Sequence, residues 1–391
     1  MNEKNVNGGL RVRSNERDDL HTLIVTIMAI MPFLPYILSA AVLITVSMCI
    51  LVFKHSRAAV MRHKRFFTIN LAITGISLVS SLLAWNIVGI LISYGIFLVL
   101  TFATYARTVM TKELFKRVIY ISCFGSLVSL ATVVFQRIKE PNPNYRPVGL
   151  SFNANYLGSV AVLCAVLAIV QFFENDEKGE KGYLLKKILL AASVVANGLI
   201  ILICESRSSL LAIMGTVFIY FLLRKWYILC GVLAVCGAGV WIIGYFNPDI
   251  FGWTNSLTFI FTERVEIWMN AFKSFISGPV QFLIGRGPMT YFLVWEREGL
   301  LHANHAHNLL FETLINVGII GLLFYLALFR SFVRDAFKKK RAGDKTAFIL
   351  SVVAICEVLI QGIPDVTIMW HQTAVLFVLM VASRFTEGKY E

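Results

Sequence analysis

The sequence predicts an all-α, polytopic integral membrane protein with about twelve transmembrane helices, and three observations predict it. Hydrophobic residues make up 57% of the 391 positions and charged residues only 15%; with a mean hydropathy of +0.72, the chain is far too apolar for a soluble domain of this length. The apolar residues gather in runs of about 17–23, the length at which a helix crosses a hydrocarbon core of ~30 Å. No segment of ~10 residues alternates with period two, which argues against a membrane barrel.

The first twenty residues are polar and carry Lys4, Arg11, Arg13 and Arg17. They resemble the head of a signal peptide, but the apolar stretch behind them runs from Leu23 to Phe53. That is too long for a cleavable leader, so it reads as two spans with a turn at Pro32–Pro35. Spans are expected at 20–34, 36–53, 66–84, 86–105, 114–135, 151–173, 187–204, 208–223, 226–246, 307–329, 346–363 and 366–384.

Lysine and arginine collect in short cytoplasmic loops. With both termini cytoplasmic, the inner segments hold 28 of the 36 basic residues and the outer segments hold eight. The same partition accounts for the formal charge of +13. Lys338, Lys339, Lys340 and Arg341 read as a juxtamembrane anchor to anionic lipid, and no nucleic acid is expected. The seven cysteines lie in or beside spans, with neither disulfide nor zinc spacing. There is no internal repeat, and residues 1–391 read as one membrane domain.

Residues 247–306 form the one long external loop, which at about sixty residues is too long for a mere connector. Within it, Thr262 to Lys273 has helical periodicity. Thr262 suits the cap and Glu263 the first turn, while Val265, Trp268, Phe272 and Phe275 share a face and Pro279 closes the helix. Such a helix is expected to lie in the outer interface, with its Trp and Phe among the headgroups. Gly285-Arg286-Gly287-Pro288 follows as a tight turn carrying a cation.

The chemistry is expected where the loop meets the next span, at His302-Ala303-Asn304-His305-Ala306-His307-Asn308-Leu309-Leu310-Phe311-Glu312. Three of the seven histidines crowd here, and ionisable groups at the mouth of a span mark a site. Gly318 and Gly321 then open the helix surface for close packing. The histidines could bind metal, but no Cys or Asp stands nearby in sequence, and only Glu296, Glu298 and Glu312 could complete a shell. Arg207, in a turn with little polar loop around it, must pair with Glu205, reach the headgroups or face a wet cavity. Glu357, Gln361 and Asp365 are expected on one helix face toward the same outer cavity.

Arg207 and Leu211 form an Arg-x-x-x-Leu pattern, and ten residues separate His307 from Gly318. With His305-Ala306-His307-Asn308, Gly318-Ile319-Ile320-Gly321, Arg264-Val265-Glu266-Ile267-Trp268 and Gly149-Leu150-Ser151-Phe152-Asn153-Ala154-Asn155-Tyr156 behind Arg146, the chain resembles the O-antigen ligase and polymerase superfamily of bacterial envelope glycan transferases. The resemblance covers roughly residues 140–330 in motif and the whole chain in span layout.

The resemblance implies a GT-C-like membrane fold. It implies transfer of a glycan from an undecaprenyl-diphosphate carrier to a glycan or lipid acceptor hydroxyl, on the outer side of the bacterial cytoplasmic membrane, without cofactor or metal. Arginine forks match a diphosphate leaving group, a role for Arg207 and Arg264. An imidazole suits the general base, a role for His307. Arg146, Arg286, His305, Asn308 and Glu312 are expected to bind substrate or orient the ring. The expected product is a surface polysaccharide made by a polymerase. Ligase-type transfer of a finished chain is the alternative, and a lipid-linked glycan flippase is a further one, disfavoured because few charges fall within the spans.

Overall fold

The computed structural model describes residues 18–142, 144–174, 182–246, 255–295 and 298–386. The N-terminal cations Lys4, Arg11, Arg13 and Arg17, the loop cations Lys178 and Lys181, and Glu296 lie outside these residues. Among the described residues there are helices and no strands. In chain order they are α1 (18–30), α2 (Tyr36–Val52), α3 (Lys54–Met61), α4 (Lys64–Leu83), α5 (Ile87–Val109), α6 (Lys112–Lys139), α7 (Ala154–Glu174) and α8 (Tyr183–Ile203). There follow α9 (Arg207–Leu223), α10 (Tyr227–Phe246), α11 (Asn255–Phe275), α12 (Pro279–Ile284), α13 (Thr290–Val294), α14 (Leu309–Arg341), α15 (Lys345–Gly362) and α16 (His371–Val381).

Each expected span falls on a helix, but only seven helices among the described residues are long and apolar enough by themselves to cross a membrane: α4 to α8, α14 and α15. The others fall short for local reasons. α2 and α3 bend by 88° at Phe53. α16 has only 11 residues, because a 3-10 turn at Thr367–Met369 takes up the start of its expected span. The expected cytoplasmic loop from 330 is instead a continuation of α14 to Arg341, so the Lys338–Arg341 cluster is helical.

Local chemistry starts these helices where the sequence allows. Thr111 accepts from the Leu114 N–H, Asn86 from Gly89, and Asp344 from Ala347, each satisfying an orphan donor of the first turn. α7 is the central element, with 83% of its membrane window buried, and it packs on α8, α9, α15 and α16. Small side chains permit this. A Cβ on Gly158 would come within 2.4 Å of Ser209 Oγ, so the α8–α9 turn sits directly against α7.

The long loop folds back on the protein. Ile267, Ala271 and Phe275 of α11 form a small second core with Tyr291, Ala303, Ala306, Leu314 and Ile315. The apolar face expected among the headgroups is therefore shared between this core and the surface. Trp268 stacks on Phe311 with ring centroids 6.2 Å apart and Phe275 is buried, leaving Val265 and Phe272 exposed. Nor does Thr262 cap the helix, which begins at Asn255.

The second correction concerns Gly318. It breaks α14, with φ 63° and ψ −167°, a conformation open essentially to glycine alone. The break frees carbonyls, and the 285–288 turn uses them: Arg286 N–H donates to Ile315 O at 3.0 Å and Gly287 N–H to Asn316 O at 2.7 Å. Asn86 donates to Arg286 O and Pro288 O, tying the turn to α5. A Cβ on Gly318 would lie 2.4 Å from the Leu283 and Ile284 backbone. The glycines of this region therefore lock the loop onto a broken helix.

Candidate active site

The segment 302–308 arrives at α14 without regular structure, and its geometry is imposed by three anchors. Asn308 caps α14, accepting from Leu310 and Phe311 N–H groups, and its amide donates to Ile363 O at 3.0 Å. Glu312, in the first turn, accepts the Ala306 N–H at 2.7 Å and the Asn316 amide at 2.8 Å. Trp268 Nε1 donates to His307 O at 3.3 Å. Between them His307 holds φ 47°, a sparsely populated conformation for a non-glycine residue that is kept only where the surroundings over-determine it.

The expectation that no aspartate approaches the histidines fails in three dimensions. Asp365 sits in the turn after α15, fully buried, with His305 Nε2 at 2.9 Å and His307 Nδ1 at 3.6 Å from its Oδ1. α15 ends at Gly362, so Asp365 leaves the helical stripe expected for Glu357 and Gln361. Those two residues are buried rather than facing a cavity. Glu357 accepts from Ser159 at 3.3 Å, and the Gln361 amide donates to Ser209 at 3.2 Å.

Asp365 is also held by its own strand of donors. Val366 N–H reaches Oδ1 and Asn155 Nδ2 reaches Oδ2, both at 2.8 Å. Burial favours the neutral carboxyl, but the hydrogen bond to His305, the close approach of His307 and the charges of both rings outweigh it and hold Asp365 well below the usual carboxylate range. For His305, burial opposes the cation, and the bond to Asp365 more than offsets that, raising its value. For His307, burial wins. Its imidazole is pushed below its ordinary value, with the His305 charge acting in the same direction.

His307 opens on a cavity of about 250 Å³ lined by Glu263, Arg264, Ile267, Leu301, His302 and Ala303. Arg264 is largely withdrawn from water, which lowers its affinity for a proton, and it feels the positive field of Arg207. Among the described residues, one guanidinium nitrogen, Nη1, of each arginine is buried without a hydrogen-bond partner, as is His307 Nδ1. Buried N–H groups left in this state are rare and mark a place for an acceptor.

Arg207 begins α9 behind a tight turn with Glu205 at φ 51°. Glu205 pairs with Arg137 at 3.2 Å. The other expected binders have partners. The Arg286 guanidinium is engaged by Glu298 at 2.6 Å and Ser277 at 3.0 Å. Arg146 bonds Cys204 O, Glu205 O and Asn155. His302 packs edge-on against Trp295.

Asp365 and Asn155 were in view in the sequence but had no assigned place at the histidines. Asp365 was expected on one helix face with Glu357 and Gln361, and nothing in the sequence linked it to His305.

The donor atoms of His305, His307 and Asp365 lie within 4.8 Å of one another, close enough to share a metal ion. Their present bonding fits a cation poorly. Both Asp365 oxygens already accept protein donors, and the Arg264 charge bears on both histidines.

Residues 192–326, about a third of the chain, match a family model described as O-antigen ligase. The matched stretch runs from within α8 to within α14 and includes Arg207, Arg264, Arg286, His305, His307 and Gly318. Over it, the resemblance read from the motifs is shown. No curated protein matches the chain.

Proposed function

We propose that this protein transfers a glycan from an undecaprenyl-diphosphate carrier to an acceptor hydroxyl on the outer side of the bacterial cytoplasmic membrane, in the assembly of a surface polysaccharide. The family match supports glycan transfer in general. The observation that carries the finer reading is the pair of buried, unpartnered guanidinium nitrogens of Arg207 and Arg264, whose charges act on one another, with Arg264 lining the cavity on which the partly buried His307 opens. Two neighbouring cations with unused donors suit a diphosphate, which supplies the missing charge and acceptors.

In this reading His307 carries its proton on Nδ1, toward Asp365, and presents the Nε2 lone pair to the cavity. Nε2 takes the proton of the acceptor hydroxyl as that oxygen attacks the anomeric carbon. The carbon–oxygen bond to the diphosphate breaks, the electron pair stays with the diphosphate, and Arg207 and Arg264 stabilise the growing charge. The proton then passes from His307 to solvent. Asp365 holds the ring and stabilises the transient imidazolium, as the orienting acid of a catalytic dyad does. No step needs a metal, and the occupied Asp365 oxygens support that.

The topology belongs to the same reading: about twelve crossings, counting the short and bent helices, both termini cytoplasmic and the 247–306 loop outside. The acceptor is taken to be another carrier-linked repeat, which makes the protein a polymerase. The match to an O-antigen ligase family favours a second reading in which a finished chain passes to a lipid acceptor. The test is the product and the donor in producing cells. His307→Ala should stop transfer and let the carrier-linked donor accumulate, and the wild-type product should be a ladder for a polymerase or one pre-built chain for a ligase. No accumulation would remove the proposal.

A further inference from the structure

We propose that Asn155, itself aimed by Arg146, is a positioning residue that sets the orientation of the Asp365 carboxylate and, through it, of His307. The inference rests on the reading of His307 as general base. Its ground is a directional chain of hydrogen bonds. The Asn155 carbonyl Oδ1 accepts from Arg146 Nη2 at 2.8 Å and from Ser206 Oγ at 3.3 Å. With two donors on Oδ1, the amide has one possible orientation, and its NH₂ must face the other way. There it meets Asp365 Oδ2 at 2.8 Å.

Arg146 is in turn immobilised by Nε on Cys204 O at 3.0 Å and Nη2 on Glu205 O at 3.2 Å. The chain thus begins on the α8–α9 turn that also presents Arg207, passes the start of α7, and ends at Asp365. From Asp365 a hydrogen bond continues to His305, and His307 Nδ1 stands 3.6 Å from the same oxygen. A single network therefore sets the spacing between the arginine and histidine sides of the site. Within it, Arg146 acts as a clamp on two carbonyls and an amide rather than as a ligand for the donor. Removing the Asn155 amide leaves a buried carboxylate oxygen without that donor, free to turn out of plane with the imidazoles. A reacting group displaced by about 1 Å loses on the order of 10²-fold in rate.

The test uses the full-length protein in detergent or nanodiscs. The donor probe is the lipid extract of producing cells carrying His307→Ala, supplied over a dilution series with the native acceptor fraction. Asn155→Ala should lower kcat by roughly 10²-fold with apparent KM for the extract nearly unchanged. Arg146→Lys, which keeps the charge and loses the fork, should do the same. Asn155→Asp, which sets a second carboxylate against Asp365, should be at least as damaged as Asn155→Ala. A raised apparent KM in Arg146→Lys with kcat intact would make Arg146 a donor ligand and overturn the proposal. So would wild-type kcat in Asn155→Ala, or losses that follow thermal stability alone. An extract that wild-type protein cannot use would instead strike at the proposed function and leave these comparisons distinct from it.

Discussion

His305 Nε2 lies 2.9 Å from Asp365 Oδ1 although sixty residues separate them in the chain. That bond joins the long loop before α14 to the turn behind α15, and it differentiates two histidines that are neighbours in sequence. His305 is hydrogen-bonded to the carboxylate through Nε2. His307 stands at 3.6 Å from the same oxygen and turns to the cavity. The two rings, with centroids 4.2 Å apart, therefore have unequal proton affinities, one raised and one lowered. Unequal neighbours of this kind are how a site separates a structural ion pair from a working base.

His307→Ala and Arg207→Ala are each expected to stop transfer while leaving the protein inserted. Loss of a general base reduces rate by about 10²–10⁴, and loss of a charge-stabilising donor by about 10²–10³. Arg207→Lys should restore little, because a point charge lacks the guanidinium fork. The readout is polysaccharide on gels together with carrier-linked donor in lipid extracts. A fully active His307→Ala protein would remove His307 as the base.

The pH profile follows from the direction of the His307 shift. Activity requires the neutral ring, and burial places its folded value below the ordinary ~6.5. The rate is therefore held as pH falls through 6.5 and lost only further into acid. Asp365, held below the carboxylate range, stays ionised throughout that limb. An acid limb in kcat/KM centred above about 6.5 would contradict the assignment.

Chelation should leave the purified protein active. With both Asp365 oxygens engaged by protein donors and Arg264 bearing on both histidines, a divalent ion has little to hold. Loss of activity in EDTA, with recovery on adding zinc or manganese, would reverse this conclusion.

Gly318→Ala should destabilise the junction of the long loop with α14 by about 1–3 kcal/mol for the backbone conformation alone, plus the clash with Leu283 and Ile284. The expected result is a lower melting temperature and little transfer. Gly95→Ala is the control, since a Cβ there meets nothing within 4 Å. Equal melting temperatures for the two variants would mean that the break at Gly318 does not secure the loop.

The proposed orientation can be read by labelling. In a variant lacking the seven native cysteines, Arg341→Cys and Met269→Cys place thiols at exposed positions of α14 and α11. An impermeant reagent added outside should reach position 269 and not 341. Labelling of both would undo the span count.

Much of this protein was legible without a structure, for a physical reason. Apolar length and the placement of lysine and arginine report directly on partition into lipid, so the helices at 64–83, 87–109 and 154–174 fall within a few residues of the expected spans. The crowding of His302, His305 and His307, and the isolation of Arg207, likewise pointed to the candidate site by the rarity of such groups at a membrane edge. Tertiary structure alone decided the rest. That Asp365 faces His305, that Asn155 faces Asp365, and that Glu312 holds Ala306 depend on how α7, α14 and α15 are set against one another. Gly318 read as a packing glycine because sequence shows the missing Cβ but not the dihedral angle that requires its absence. Hydropathy constrains each helix one at a time, whereas a hydrogen bond between residues sixty or two hundred positions apart exists only after the helices have packed.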